Sequence, residues 1–268
     1  MKLQIVPART GIQWVKLGIQ TFWRQPMALA ALFFLAMAAM SLVSLVPFIG
    51  PALALALLPC SSLAMMVAAA EATQGRFPTP ALLLVAFRTG RQRMRAMATL
   101  GALYAAGFLA IIGLSTLIDG GTFANVYLGG EPMSLEIAEN PEFQSAMWLS
   151  MLLYIPLSLL FWHAPGLIHW HGISPVKALF FSGVACLRNW SAYLMFGMGW
   201  MAVFLGTGMV LALLTSVLVS LIGAVAGGIM VGAAMMLAAM FFTSVVFTFR
   251  DSFSAPDKSD ALETAPAP

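Results

Sequence analysis

No charged residue lies between Arg188 and Arg250. A water-soluble domain must keep polar side chains on its outside, so a stretch this long and this apolar has no place on one. The solvent that suits it is the hydrocarbon core of a bilayer, where a crossing helix needs about 20 apolar residues at about 1.5 Å rise each. The stretch is too long for one crossing and divides by length near 215–222, into spans 191–214 and 223–249. Four more runs of crossing length lie at 27–46, 51–70, 96–118 and 146–168. Over the whole chain 61% of residues are hydrophobic and 9% charged, against about 25% charged in a soluble domain. The expected fold class is therefore all-α: a polytopic helical membrane protein with six transmembrane helices. A single domain covers 1–250, and a disordered cytoplasmic tail, with Pro256, Pro266 and Pro268 among Ala, Ser and Asp, covers 251–268.

Charge placement gives this layout an orientation, because Lys and Arg collect on the cytoplasmic side of short loops. All thirteen basic residues fall on one side of the six-span arrangement. The opposite side carries Pro47-Phe48-Ile49-Gly50, the 119–145 loop and the turn near 215–222, with no Lys or Arg. Both termini are thus expected in the cytoplasm of a bacterium, with the chain in its inner membrane. The first apolar run follows Lys2, Arg9, Lys16 and Arg24 and is too long for the core of a cleaved leader, so it reads as an anchor. Asp119, Glu131, Glu136, Glu139 and Glu142 make the outside loop acidic and solvated. Within it, Ser134 to Glu139 is compatible with a helical turn ended by Asn140-Pro141.

Three basic-side segments look alike. Thr10 opens a capping-box pattern with Gln13, while Thr79-Pro80 and Ser174-Pro175 are each a cap residue before a first-turn proline. Fourteen residues after each cap comes an arginine: Arg24, Arg93 and Arg188. Apolar stripes follow the first cap (Ile12, Val15, Ile19, Phe22) and the last (Val176, Leu179, Phe180, Gly183, Val184, Leu187) at helical spacing. The pattern suggests three cytoplasmic interfacial amphipathic helices, stripe in lipid and cationic heads at phosphate. Each would precede a helical hairpin, giving a pseudo-threefold repeat; coincidence among arginine-rich loops explains the spacing equally well. Arg88, Arg91, Arg93 and Arg95 form the densest charge cluster, with Arg88, Arg91 and Arg95 on one helical face.

Chemistry has few residues to work with. An ionisable side chain inside a span marks function by default, and His163 is the clearest titratable one apart from tyrosines. That argues against proton- or sodium-coupled transport and against paired-aspartate proteolysis. No His-Glu-x-x-His, Gly-x-Ser-x-Gly or phosphate-binding glycine loop occurs. His163, His169 and His171 form a polar cluster at one end of the fourth span. On a helix His169 and His171 point in different directions and suit an interfacial setting beside Trp162 and Trp170 better than a metal. No cofactor is expected. Cys60 and Cys186 read as small packing residues. Gly223, Gly227, Gly228 and Gly232, with Gly197, Gly199, Gly206 and Gly208, permit close helix packing, and Pro59, Pro156 and Pro165 should kink or open helices two and four.

The stretch Phe161-Trp162-His163-Ala164-Pro165-Gly166-Leu167, then Pro175, Lys177-Ala178-Leu179-Phe180-Phe181-Ser182 and Arg188-Asn189-Trp190, resembles a family of proteobacterial multi-pass, six-span inner-membrane proteins. Val6-Pro7-Ala8-Arg9 with Gly11, Trp14 and Phe22 is similar to the same family. The layout also resembles the membrane domains attached to glycerophosphodiester phosphodiesterases, without their catalytic domain. The resemblance implies location and fold and carries over no activity.

These features favour a non-enzymatic accessory or envelope-homeostasis component. Its partners are membrane lipids with anionic headgroups, met by Arg24, Arg88, Arg91, Arg93, Arg95 and Arg188, and a protein within the membrane; nucleic acid is not expected. The alternative is a passive or lipid-handling transporter, with a polar cavity lined by Ser61, Ser62, Tyr104, Ser158 and His163.

Overall fold

The computed structural model of the chain describes residues 2–223 and 225–254. It opens with strand β1 (Lys2–Leu3) and helices α1 (Thr10–Arg24), α2 (Pro26–Ser44) and α3 (Gly50–Thr73). A 3-10 turn (Pro80–Leu84) leads into α4 (Val85–Arg88) and α5 (Arg91–Asp119). Then come α6 (Thr122–Leu128), α7 (Leu135–Glu139), α8 (Pro141–Phe161), α9 (Ala164–His171) and α10 (Pro175–Arg188). The last elements are α11 (Trp190–Ile222), α12 (Val225–Ser252) and strand β2 (Phe253–Ser254). Six stretches are long and apolar enough to cross a bilayer: α2, α3, α5, α8 with α9, α11 and α12. The protein is a helical membrane protein with six candidate spans, as its apolar runs require.

The helices outrun those runs. α5 begins at Arg91, inside the basic cluster, because a helix satisfies its own backbone while long cationic side chains extend away from the apolar layer. α11 continues through 215–222, where a turn was expected, and the chain reverses at Gly223. Ser216 does not break the helix, since its hydroxyl donates to the Leu213 carbonyl at 2.7 Å. Gly223 adopts φ 59°, a left-handed value that suits glycine.

The tail also starts later than expected. Residues 251 and 252 complete α12, and β2 pairs antiparallel with β1, Lys2 opposite Ser254 and Leu3 opposite Phe253. The Gln4 N–H extends the pairing to the Ser252 carbonyl at 3.0 Å. The rest of the expected tail, 255–268, lies outside the described residues.

Among the described residues, the single domain expected over 1–250 is built as two compact units, one drawn from 2–35, 64–82 and 184–254, the other from 36–63 and 83–183. In the first, α1 packs along both α11 and α12. Its Trp14, Val15 and Phe22 are buried. Close approach is possible because α1 presents Gly11 to the Ala192 carbonyl and Gly18 to Ser244, where a Cβ would have no room. Trp200 donates its indole N–H to the Ser244 hydroxyl at 3.2 Å, tying α11 to α12 at the same level.

In the second unit α5 packs along α8, and α6 sits against both. Ile112, Phe123, Phe143 and Ala146 form a buried core there. α6 exists because Asp119 builds it a start. Its carboxylate accepts the N–H of Gly121 at 3.0 Å and of Phe123 at 2.6 Å, after left-handed Gly120 and Gly121 have turned the chain. Asp119 is therefore buried rather than part of a solvated acidic loop. The helical turn expected over Ser134 to Glu139 forms as α7, with the Ser134 hydroxyl accepting the Ile137 N–H at 3.1 Å; Asn140, expected only to end it, also caps α8 ahead of Pro141.

The glycines expected to pack helices divide differently. Gly199 meets Val15 and Ile12, while Gly197, Gly206, Gly208, Gly227, Gly228 and Gly232 border open space. Gly18→Val should thus separate α1 from α12 and cost about 1–3 kcal/mol, read as a lowered thermal unfolding midpoint in detergent. Gly206→Val, with room for the side chain, should leave the midpoint where it is.

Candidate functional site

Four of the six candidate arginines, Arg88, Arg91, Arg93 and Arg95, form the densest charge cluster of the chain. Arg24 ends α1, Arg88 ends α4, Arg91, Arg93 and Arg95 open α5, and Arg188 ends α10. All six are exposed. Among the described residues the ion pair is Arg250 with Asp251 at 3.1 Å, and none of the six meets a carboxylate. Arg24 donates to the Thr73 carbonyl at 3.2 Å. Exposed aromatic rings stand next to them in the chain: Trp23 beside Arg24, Phe87 beside Arg88 and Trp190 just after Arg188. Amphipathic rings and cationic heads together are the usual composition of a membrane–water boundary.

One expected grouping fails. Arg88, Arg91 and Arg95 do not lie on one helical face, because Gly90 at φ 95° separates α4 from α5. Arg91 and Arg95 still share a face of α5, one turn apart. The three basic-side segments share their arginine but not their conformation. α1 turns its stripe onto α11 and α12 rather than outward. The Thr79 segment is a 3-10 turn and one helical turn. α10 buries small residues (Ala178, Ser182, Ala185) and exposes Val176, Phe180 and Leu187. The capping box at Thr10 does not form: Arg9 holds the cap position, no side chain bonds there, and Thr10 N–H goes to the Pro7 carbonyl at 3.0 Å.

The histidines mark a break rather than a shared point. α8 stops at Phe161 and α9 starts at Ala164, because Pro165 has no N–H and its ring excludes a regular turn before it. Ser182 of α10 closes the gap. Its hydroxyl accepts the His163 N–H at 2.9 Å and donates to the Leu159 carbonyl at 2.8 Å. His163 is fully buried in this joint, while His169 and His171 occupy the last turn of α9, His169 edge-on to Trp170. Among the described residues no three His, Cys, Asp or Glu side chains are grouped to hold a metal ion. Pro59 and Pro156 sit inside continuous helices, so Pro165 alone coincides with an opening.

The residues expected around a polar cavity are engaged locally. Ser61 donates to the Met40 sulfur at 3.7 Å, Tyr104 pairs with Tyr154 through their hydroxyls at 3.3 Å, and Ser158 turns back to the Ile155 carbonyl at 2.7 Å. A cleft of about 370 Å³ lies instead between the start of α5 and the α9–α10 link, lined by Gln92, Arg93, Gly172 and Ser174 among others. Both cysteines are buried and neither is in a disulfide. Burial pushes the Cys186 thiol up to about 12, with a hydrogen bond to Tyr193 acting the other way.

The polar residue that sequence reasoning underrated is Asn189. It is almost fully buried between α10 and α11. Its side-chain oxygen accepts the Val6 N–H at 2.8 Å and its amide donates to the Gln4 carbonyl at 3.0 Å. Trp14 adds an indole bond to Asp251 at 2.9 Å. The amino-terminal motif around Val6, Gly11 and Trp14 and the Arg188-Asn189-Trp190 motif are therefore two halves of one clamp. Asn189→Ala should free the 2–6 segment, cost about 1–3 kcal/mol, and speed hydrogen exchange at residues 2–6. Ser182→Ala should likewise lower the unfolding midpoint, with faster exchange confined to 159–171, whereas Ser182→Thr should retain most of the stability.

No family model and no solved structure matches the chain. It is 38% identical over 260 residues to the probable inner membrane protein BTH_II0599 of Burkholderia thailandensis, covering 96% of each chain. The six apolar helices found among the described residues and this match over 96% of each chain agree on an inner-membrane location. The chain belongs to the same family of proteobacterial multi-pass inner-membrane proteins as that relative.

Proposed function

We propose that this protein is a non-enzymatic accessory or envelope-homeostasis component of the inner membrane, acting through helix packing and contacts with anionic lipid. The observation that carries the reading is the set of outward arginines, Arg24, Arg88, Arg91, Arg93, Arg95 and Arg188, free of carboxylate partners and flanked by exposed Trp23, Phe87 and Trp190. Each cation near an anionic surface contributes about 1 kcal/mol, and three of the six are concentrated in the first two turns of α5. The exposed apolar stripe of α10 beside Lys177 and Arg188 suits a helix lying in the headgroup region.

The same charges orient the chain in this reading, with both ends cytoplasmic. Pairing of β1 with β2 supports a common side for the termini, as an even number of spans demands. The far half of α11 exposes Leu205, Met209, Leu213 and Val217, enough apolar surface for lipid or for a membrane partner.

Replacing Arg88, Arg91, Arg93 and Arg95 together by Gln tests the proposal. The protein is extracted with its lipid in a membrane-excising polymer, and the anionic share of that lipid is compared with the bulk membrane. The native chain should enrich phosphatidylglycerol and cardiolipin, and the variant should fall to the bulk ratio or show inverted or reduced insertion by cysteine labelling of the ends. Unchanged enrichment and orientation would remove the role given to these arginines.

A further inference from the structure

In the second unit α5, α6 and α8 surround a cavity of about 260 Å³, lined by Phe108, Ile112, Phe123, Tyr127, Ser150 and Tyr154 among others. Four of these six walls are aromatic. The polar groups that reach it differ in what they already hold. Tyr154 shares its hydroxyl with Tyr104. Ser150 has no partner for its hydroxyl, although the residue is only 6% exposed.

That orphan is unusual within its own helix. Ser145 donates to the Pro141 carbonyl at 2.8 Å and Ser158 to the Ile155 carbonyl at 2.7 Å. Ser115, on the facing stretch of α5, does the same to Ile112 at 2.7 Å. A serine in a span ordinarily satisfies itself by this return to the backbone, since the hydrocarbon offers nothing else. Ser150 instead keeps a donor directed into an apolar cavity, an arrangement that costs free energy until an acceptor arrives.

Place and size select the acceptor. Ser150 lies nine residues into α8, roughly 13 Å along its axis from Pro141, which is within the first third of the 31-residue span that α8 forms with α9. Tyr127, Met151 and Tyr154 border the cavity and are exposed on the outer surface of the helices, so its mouth opens toward the acyl layer. The volume falls below the roughly 300–1,000 Å³ of a pocket for a whole small molecule. It fits the first stretch of one hydrocarbon chain, with an ester carbonyl at the level of the hydroxyl.

We infer that this cavity is a binding site for a phospholipid acyl chain, held by apolar and aromatic walls and by a hydrogen bond from Ser150 to the chain's ester carbonyl. α6, fixed by Asp119, supplies Phe123 and Tyr127 as one wall. The site is separate in kind from the arginine array: it reads the chain of a lipid, not its headgroup charge.

Full-length protein is reconstituted into phosphatidylethanolamine–phosphatidylglycerol vesicles doped with phosphatidylethanolamine carrying a diazirine near the ester end of one acyl chain. After illumination, labelled peptides are mapped by mass spectrometry. Labelling should concentrate on Ile111, Ile112, Tyr127 and Met151 above other lipid-exposed positions such as Leu205 and Leu213. Ser150→Phe, which fills the space, should abolish that excess. Ser150→Ala, which keeps the space and removes only the donor, should reduce it about threefold to tenfold, the worth of one hydrogen bond. Ser158→Phe should leave it intact. Labelling no denser in the cavity than on α11, or unaffected by Ser150→Ala, overturns the inference. Should Ser150→Phe fail to fold, the alanine variant decides alone. The four-arginine variant should label the cavity like the native chain, so loss of the headgroup role and loss of this site remain distinguishable.

Discussion

A bilayer supplies no water to an unpaired peptide group, so every place where a helix stops, breaks or turns inside this protein must be closed by the protein itself. Three buried polar side chains do this. Ser182 bridges the donor and acceptor released where Pro165 splits α8 from α9. Asp119 takes the free N–H groups at the start of α6. Asn189 satisfies both a donor and an acceptor of the amino-terminal segment. Remove these and the apolar surfaces still favour the membrane, but the backbone groups that they close are left unpaired.

With the backbone closed, packing becomes a question of how near helices can come. Lipid tails are as apolar as leucine side chains, so contact between helices is favoured by close fit rather than by escape from water. α1 supplies that fit with Gly11 and Gly18, and Trp14, Trp200 and Ser244 hold it with directed bonds. A helix that reads as an amphipathic surface element is in this way part of the interior of its unit. α10, with a comparable pattern of apolar positions, keeps its large residues outside and its small ones within.

Much of the architecture was legible, and the limits of legibility are physical. Span number follows from length and apolarity, which the bilayer thickness converts directly into helices. The end of α11 was not legible, because the uncharged stretch could be divided only by length, and within it the Ser216 hydroxyl is satisfied by the helix itself. α6 was missed because Asp119-Gly120-Gly121 reads as loop until the carboxylate is seen under the N–H groups. The apolar stripe of α1 matched a lipid-facing helix as well as a docked one; only the opposing Ser244 and Ala192 decide between them. The arginines could be found from charge alone. Ser150, Ser182 and Asn189 could not, since a lone polar residue in or beside a span acquires meaning from what lies across from it. The residues behind the family resemblance include two of these closure points, Ser182 and Asn189, so part of the likeness records how the chain is held together.

The union of β1 with β2 and of α1 with α11 and α12 has a consequence for biosynthesis. α1 leaves the ribosome long before the surfaces of α11 and α12 that it packs on. At roughly 5–20 residues per second, the wait is on the order of ten seconds. Through that interval Trp14, Val15 and Phe22 have no final partner. Insertion of the spans can proceed in order, hairpin by hairpin, yet the first unit is completed only when Phe253 and Ser254 are released. A ribosome that stalls anywhere before α12 therefore leaves an inserted chain whose first unit is unclosed.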